Sequence, residues 1–108
     1  MPKFRMSKAK LLVLNELLRE PSAPHWGYEL MRRTKLGSGS LYPILAQLER
    51  SGWIDGAWEL DKGAVGGPPR RAYRITGEGL SAAPDAILAF RSRSSFASSQ
   101  APLPWEAP

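Results

Sequence analysis

Cysteine is absent from this chain of 108 residues, and histidine occurs once, as His25. The first absence removes disulfides and thiolate chemistry, and together the two leave almost no means of holding zinc. No apolar run reaches the length of a membrane span. The start, "MPKFRMSKAKLLVLNELLRE", is basic and then apolar, but Asn15 and Glu16 break the run and no small-residue cleavage site follows. A cytoplasmic protein with no membrane partner, metal or cofactor is therefore expected. Acidic residues are the scarcer charge: ten Asp and Glu stand against fifteen Lys and Arg, giving a formal net charge of +5 and a pI near 10.0. That balance suits an anionic partner, above all nucleic acid. With 43% hydrophobic and 23% charged residues the chain is globular in composition, and its length allows one small domain with a modest core.

Periodicity and turn signals divide the chain. Ser7 can cap a helix running to about Arg19, in which Leu11, Leu14, Leu17 and Leu18 recur at helical spacing before Pro21 and Pro24 enforce a stop. A short second helix is expected from about His25 to Arg33, burying Trp26 and Leu30, followed by a tight turn over residues 34–37. The third helix should run from Ser38, as its N-cap, to about Ser51, with Gly52 ending it. "WIDGAWEL" then reads as a strand, with Gly56 offering a bulge, "DKGAVGGPP" as a hairpin tip, and "RRAYRI" as the returning strand. On that strand Arg71, Tyr73 and Ile75 share one face, and Arg70, Ala72 and Arg74 the other. Thr76 can cap a last helix that Pro84 interrupts and that fades by Arg93. The remainder, rich in Ser, Pro and Ala, reads as a disordered tail. The expected division is an arm over residues 1–7, a domain over 8–80, a short helical segment over 81–93 able to serve dimerisation, and a tail over 94–108. Three helices followed by a two-stranded β ribbon make a mainly α protein of the winged helix-turn-helix class.

The third helix, "SGSLYPILAQLERS", has an unusual outer face. At about 100° per residue, Leu41, Ile44, Leu45 and Leu48 form a buried stripe, with Gly39, Pro43, Ala46 and Arg50 directly opposite. Ser40 and Gln47 flank that line on one side and Tyr42 on the other. A merely solvated face would carry several Lys and Glu residues. This one has small groups and neutral hydrogen bonders that suit close approach to a duplex, with the helix N-terminus favouring a nearby phosphate. Pro43 forfeits a backbone bond near Gly39 and implies an irregularity there. The same face could instead pack against a protein subunit, since small residues also serve tight helix contacts.

The hairpin adds cations. Arg70, Arg71 and Arg74 could lie along a phosphate backbone or in a minor groove, beside a tip bearing Lys62. A solvated edge strand protected by charge would look similar. Lys35, with Arg32 and Arg33, would flank the same surface. Catalysis is not expected: one histidine beside prolines fits a structural role, and "GSG" and "VGG" are too short for nucleotide-binding loops.

The segments "HWGYELMRRT", "GSGSLYPILAQLERSGWI" and "GGPPRRAYRITGEG" resemble, in order and spacing, the hallmarks of PadR-family transcriptional regulators. The matching positions are His25, Gly27, Tyr28 and Glu29 with Trp26 inserted, then Gly39 to Pro43, Leu48, Glu49 and Gly52. Gly67 to Arg70, Tyr73, Arg74, Thr76 and Gly79 complete the set, over about residues 8–80. The resemblance implies a dimeric winged-helix repressor whose third helix enters the major groove of double-stranded DNA, with wings on the flanking backbone. Ser38, Ser40 and Tyr42 carry over as groove contacts and the wing arginines as phosphate contacts. The departure is C-terminal, where relatives usually dimerise through one long helix. Here the first helix, or a last helix built on Ile87, Leu88 and Phe90, would have to substitute. Some relatives bind aromatic ligands between subunits, but Trp26, Trp53 and Trp58 are expected in the core, and an effector is left unassigned. Two other classes stay open: a winged helix acting as a protein–protein adaptor, and a DNA-bending accessory factor for recombination.

Overall fold

The computed structural model describes residues 5–59 and 70–100. Within them the order is α1 (Lys8–Arg19), β1 (His25–Trp26), α2 (Gly27–Thr34), α3 (Ser38–Arg50), β2 (Ile54–Glu59), β3 (Arg70–Ile75) and α4 (Gly77–Gln100). The strands form one antiparallel sheet in the order β1-β3-β2. This is a winged helix: three helices, then a ribbon returning beside them.

Local chemistry accounts for the boundaries. Ser7 caps α1 by accepting the Lys10 backbone N–H at 3.2 Å. Gly52 ends α3 in the left-handed region at φ 80°, with its N–H on the Glu49 carbonyl and the Trp53 N–H on that of Leu48. Those two bonds form a Schellman closure, which satisfies carbonyls the helix would otherwise leave open. Thr76 joins three elements: its hydroxyl donates to the Gly52 carbonyl at 2.6 Å and accepts the Gly79 N–H at 3.0 Å, capping α4.

One core holds the elements together. Val13, Leu14 and Leu17 of α1, Leu30 of α2 and the α3 stripe of Leu41, Ile44, Leu45 and Leu48 are buried together. Trp53, Ile54, Tyr73, Ala83 and Ile87 close it from the sheet and α4, and Met6, in the expected arm, joins them. A fully buried leucine contributes about 1.5–3 kcal/mol, so this cluster outweighs any surface ion pair. Leu11 and Leu18 only flank it.

The structure departs from the sequence-based expectations at several points. His25 and Trp26 do not begin α2; they form a strand paired with Tyr73 and Ala72. Pairing with β3 holds them extended, and His25 Nε2 lies 3.1 Å from the Glu20 carbonyl, which anchors the segment. The N-cap of α3 is Gly37, whose carbonyl accepts from Ser40 and Leu41, so Ser38 is already helical. Gly56 makes no bulge, since the register runs unbroken from Ile54↔Ile75 to Glu59↔Arg70. Trp58 is not core but 69% exposed. Trp26 is half-buried and Trp53 buried. Pro84 does not interrupt α4, nor does the helix fade at Arg93: it is continuous over 24 residues. The short 81–93 segment is thus part of a longer helix, and residues 94–100 of the expected tail are helical. Pro43 likewise leaves α3 unbroken. Both prolines are solvent-exposed, where the carbonyl each leaves unbonded can meet water. The hairpin tip and residues 101–108 lie outside the described residues.

Candidate nucleic-acid interface

The outer face of α3 is open. Ser38, Gly39, Ser40, Tyr42, Pro43 and Arg50 are exposed, while Ala46 and Gln47 are half-buried. The face therefore presents small and neutral groups over its first half, ending on one guanidinium. At the preceding turn Lys35 is exposed and held at φ 67°, its N–H returning to the Met31 carbonyl. Left-handed backbone of this kind costs a non-glycine residue about 1 kcal/mol. Arg33, expected to flank the face, instead leans toward Glu29 at 3.6 Å and Glu16 at 4.0 Å.

The three wing arginines have different partners. Arg70 is exposed at the start of β3, and its guanidinium lies 5.1 Å from the centre of the Tyr28 ring. Arg71 points the other way across the ribbon, toward α3, and donates to the Glu49 carboxylate. Gly56 makes room for it: a Cβ there would stand 2.6 Å from Arg71 Nε. The rings of Trp58 and Tyr73 enclose the same guanidinium at 5.6 and 6.0 Å. Burial pushes the Tyr73 hydroxyl above its ordinary value of 10.0, against the opposing influence of the nearby Arg71 charge. Arg74 is exposed and bonded to Glu59 at 2.8 Å. Lys62 lies outside the described residues.

Tyr42 links the two surfaces. Its hydroxyl fills the space that a Cβ on Gly27 would occupy, so the start of α2 must be glycine for the ring to rest there. Beside it opens a cleft bounded by α2, Tyr42 and the root of the wing, with Arg70 and Arg71 at its edge. The structure thus brings Tyr42, Arg70 and Arg71 together and leaves Lys35 and Arg74 outside that cluster. Glu49, Tyr28 and Trp58 were missed as members. Glu49 had a signal, as the lone carboxylate of its helix. Tyr28 stood in a hallmark segment without a role and nothing local marked Trp58, because the partners of both, Arg70 and Arg71, come from β3.

Among the described residues no group of His, Asp and Glu could hold a metal ion, and no helix is long and apolar enough to cross a membrane.

The transcriptional regulator PadR-like family model matches residues 13–84. Among solved structures, a PadR family transcriptional regulator from Eggerthella lenta is 24% identical, with TM-score 0.64, over 82% of this chain and 79% of that one. A PadR-like transcriptional regulator from Bacillus cereus is 25% identical, with TM-score 0.57, over 83% and 84%. AbfR of Staphylococcus epidermidis, in a structure of its reduced form bound to DNA, is 26% identical, with TM-score 0.59, over 77% and 55%. No curated protein sequence matches the chain.

Proposed function

This chain belongs to the PadR-like family of transcriptional regulators, DNA-binding proteins, and from that premise we propose that it is a repressor acting as a homodimer on a palindromic operator. The α3 face enters the major groove, with Ser38, Ser40 and Tyr42 as the contacts that discriminate bases and Gly39 and Pro43 allowing close approach. Gln47, half-buried at the margin, contributes from the side. Arg70, Lys35 and Lys62 meet phosphates, joined by Arg71 and Arg74 as those two exchange Glu49 and Glu59 for the duplex.

The observation that carries this reading is the exposure of an almost uncharged α3 face directly beside exposed wing arginine. The AbfR structure lends support, because a protein of similar fold is there bound to DNA. For the dimer, support comes from α4, on which Leu80, Pro84 and Leu88 recur every fourth residue as an exposed apolar line. A twofold arrangement requires half-sites about one helical turn apart, or a multiple of it.

Selection of an operator from random duplexes, followed by titration of operator and random DNA, tests the assignment. Tyr42→Ala and Ser40→Ala should lose discrimination, whereas Arg70→Ala should weaken both duplexes about equally. Unchanged operator affinity in the Tyr42 variant would contradict the role given to α3.

A further inference from the structure

The cleft at the wing root measures about 610 Å³ and is walled chiefly by aromatic rings. Tyr28, Tyr42 and Trp58 stand at its margin with 37%, 43% and 69% of their surface exposed. Large rings left this open keep flat apolar faces in water, a feature of binding surfaces more than of inert ones. Tyr73 and Trp26 form the deeper wall.

Charge completes the chemistry. Among the described residues no carboxylate lines the cleft, and both charged groups at its edge are guanidinium. Arg71 is shared with Glu49, but Arg70 has no ion pair among the described residues. Each guanidinium already lies over a ring, Arg70 over Tyr28 and Arg71 over Trp58, so cation and π face are offered side by side. A planar heteroaromatic ring carrying a phosphate satisfies both. Stacked bases inside a duplex cannot enter such a cleft, because their faces are already covered.

We propose that the wing-root cleft binds a nucleotide, with its base stacked among Tyr28, Tyr42 and Trp58 and its phosphate on Arg70. The nucleotide comes either free or as an unpaired residue of a nucleic-acid strand, the chemistry being the same. The inference rests on the proposed duplex-binding face only where the two share Tyr42 and Arg70. At those residues a bound nucleotide competes with a duplex.

The test is calorimetric titration of the full chain at low salt with no duplex present, using AMP, adenosine, ribose 5-phosphate and an eight-residue oligo(dT). AMP or the oligomer should bind, with adenosine and ribose 5-phosphate each at least about tenfold weaker than AMP. Trp58→Ala should weaken binding about tenfold, as loss of one stacking ring does, with an unchanged melting temperature because that ring is exposed. Arg70→Ala should erase the preference for AMP over adenosine. Binding of AMP as tight as the oligomer identifies a free nucleotide as the ligand; binding of the oligomer alone identifies a strand. No binding of either at millimolar concentration, detectable binding of AMP that adenosine equals, or indifference to Trp58→Ala would overturn the proposal. Dependence on Trp58, which has no part in the proposed duplex contacts, distinguishes a failure of the cleft from a failure of the α3 face.

Discussion

Gly27 shows how much one residue controls at this surface. The Tyr42 hydroxyl takes the place of its missing side chain, so Gly27→Ala must push the tyrosine away. Tyr42 is exposed and can swing outward, so the stability cost should stay near that of a surface substitution, about 0.5 kcal/mol. Discrimination between operator and random DNA should nevertheless fall as far as in Tyr42→Ala. Thermal melts and paired titrations check both parts, and a variant that keeps its discrimination would show that the position of Tyr42 is irrelevant. Tyr73 makes a prediction in pH. Its hydroxyl is held protonated above the ordinary 10.0 by burial. The folded state therefore binds the proton more tightly than the unfolded chain, and its contribution is complete below that value. It is lost as the pH rises from 10.0 through the higher folded value. Urea titrations across that range should show stability falling, with a shallower fall in Tyr73→Phe.

At the scale of elements, two junctions set how α3 and the wing sit together. Thr76 bridges the end of α3 to the start of α4 with two hydrogen bonds. Thr76→Val keeps the shape and removes both, which should lower stability by about 1–2 kcal/mol in denaturant titrations. The other junction is the bond between Glu49 and Arg71, each about one-third exposed. Solvent screening limits such a pair to under about 1 kcal/mol, so Glu49→Gln should barely move the melting temperature. It removes a carboxylate beside the duplex-binding face and releases Arg71, so affinity for random duplex should rise while the operator-to-random ratio falls. Unaltered random-duplex affinity would argue that Arg71 never leaves Glu49. Much of this level was legible beforehand. The α3 stripe, the Gly52 stop, the Thr76 cap and the two ribbon strands are written in periodicity and turn chemistry, which are local. β1 was not legible, because two residues show no alternation and become a strand only against Tyr73 and Ala72. The hold of Glu49 on Arg71 is likewise invisible until the ribbon folds back. Pro84 misled for another reason: a proline rule about lost hydrogen bonds gives way where the ring and the freed carbonyl face water.

For the whole molecule, the proposed homodimer rests on α4. Ile87 is buried in the protomer and Phe90 packs partly against the core, so neither is free for a second copy. Among the described residues of α4, the exposed line of Leu80, Pro84 and Leu88 is the apolar surface left. Leu88→Asp should therefore shift the mass in solution from dimer to monomer, as light scattering would report, and make the melting temperature independent of protein concentration, while a variant still dimeric would move the interface elsewhere. Net charge of +5 and the arginines around α3 point the protein at a polyanion. The most direct measurement is affinity for duplex DNA at 50 and 200 mM salt. With about five phosphate contacts, affinity should drop several hundredfold across that interval, and an operator should stay preferred over random DNA throughout. Affinity indifferent to salt, or absent for every duplex at the lower concentration, would contradict the account.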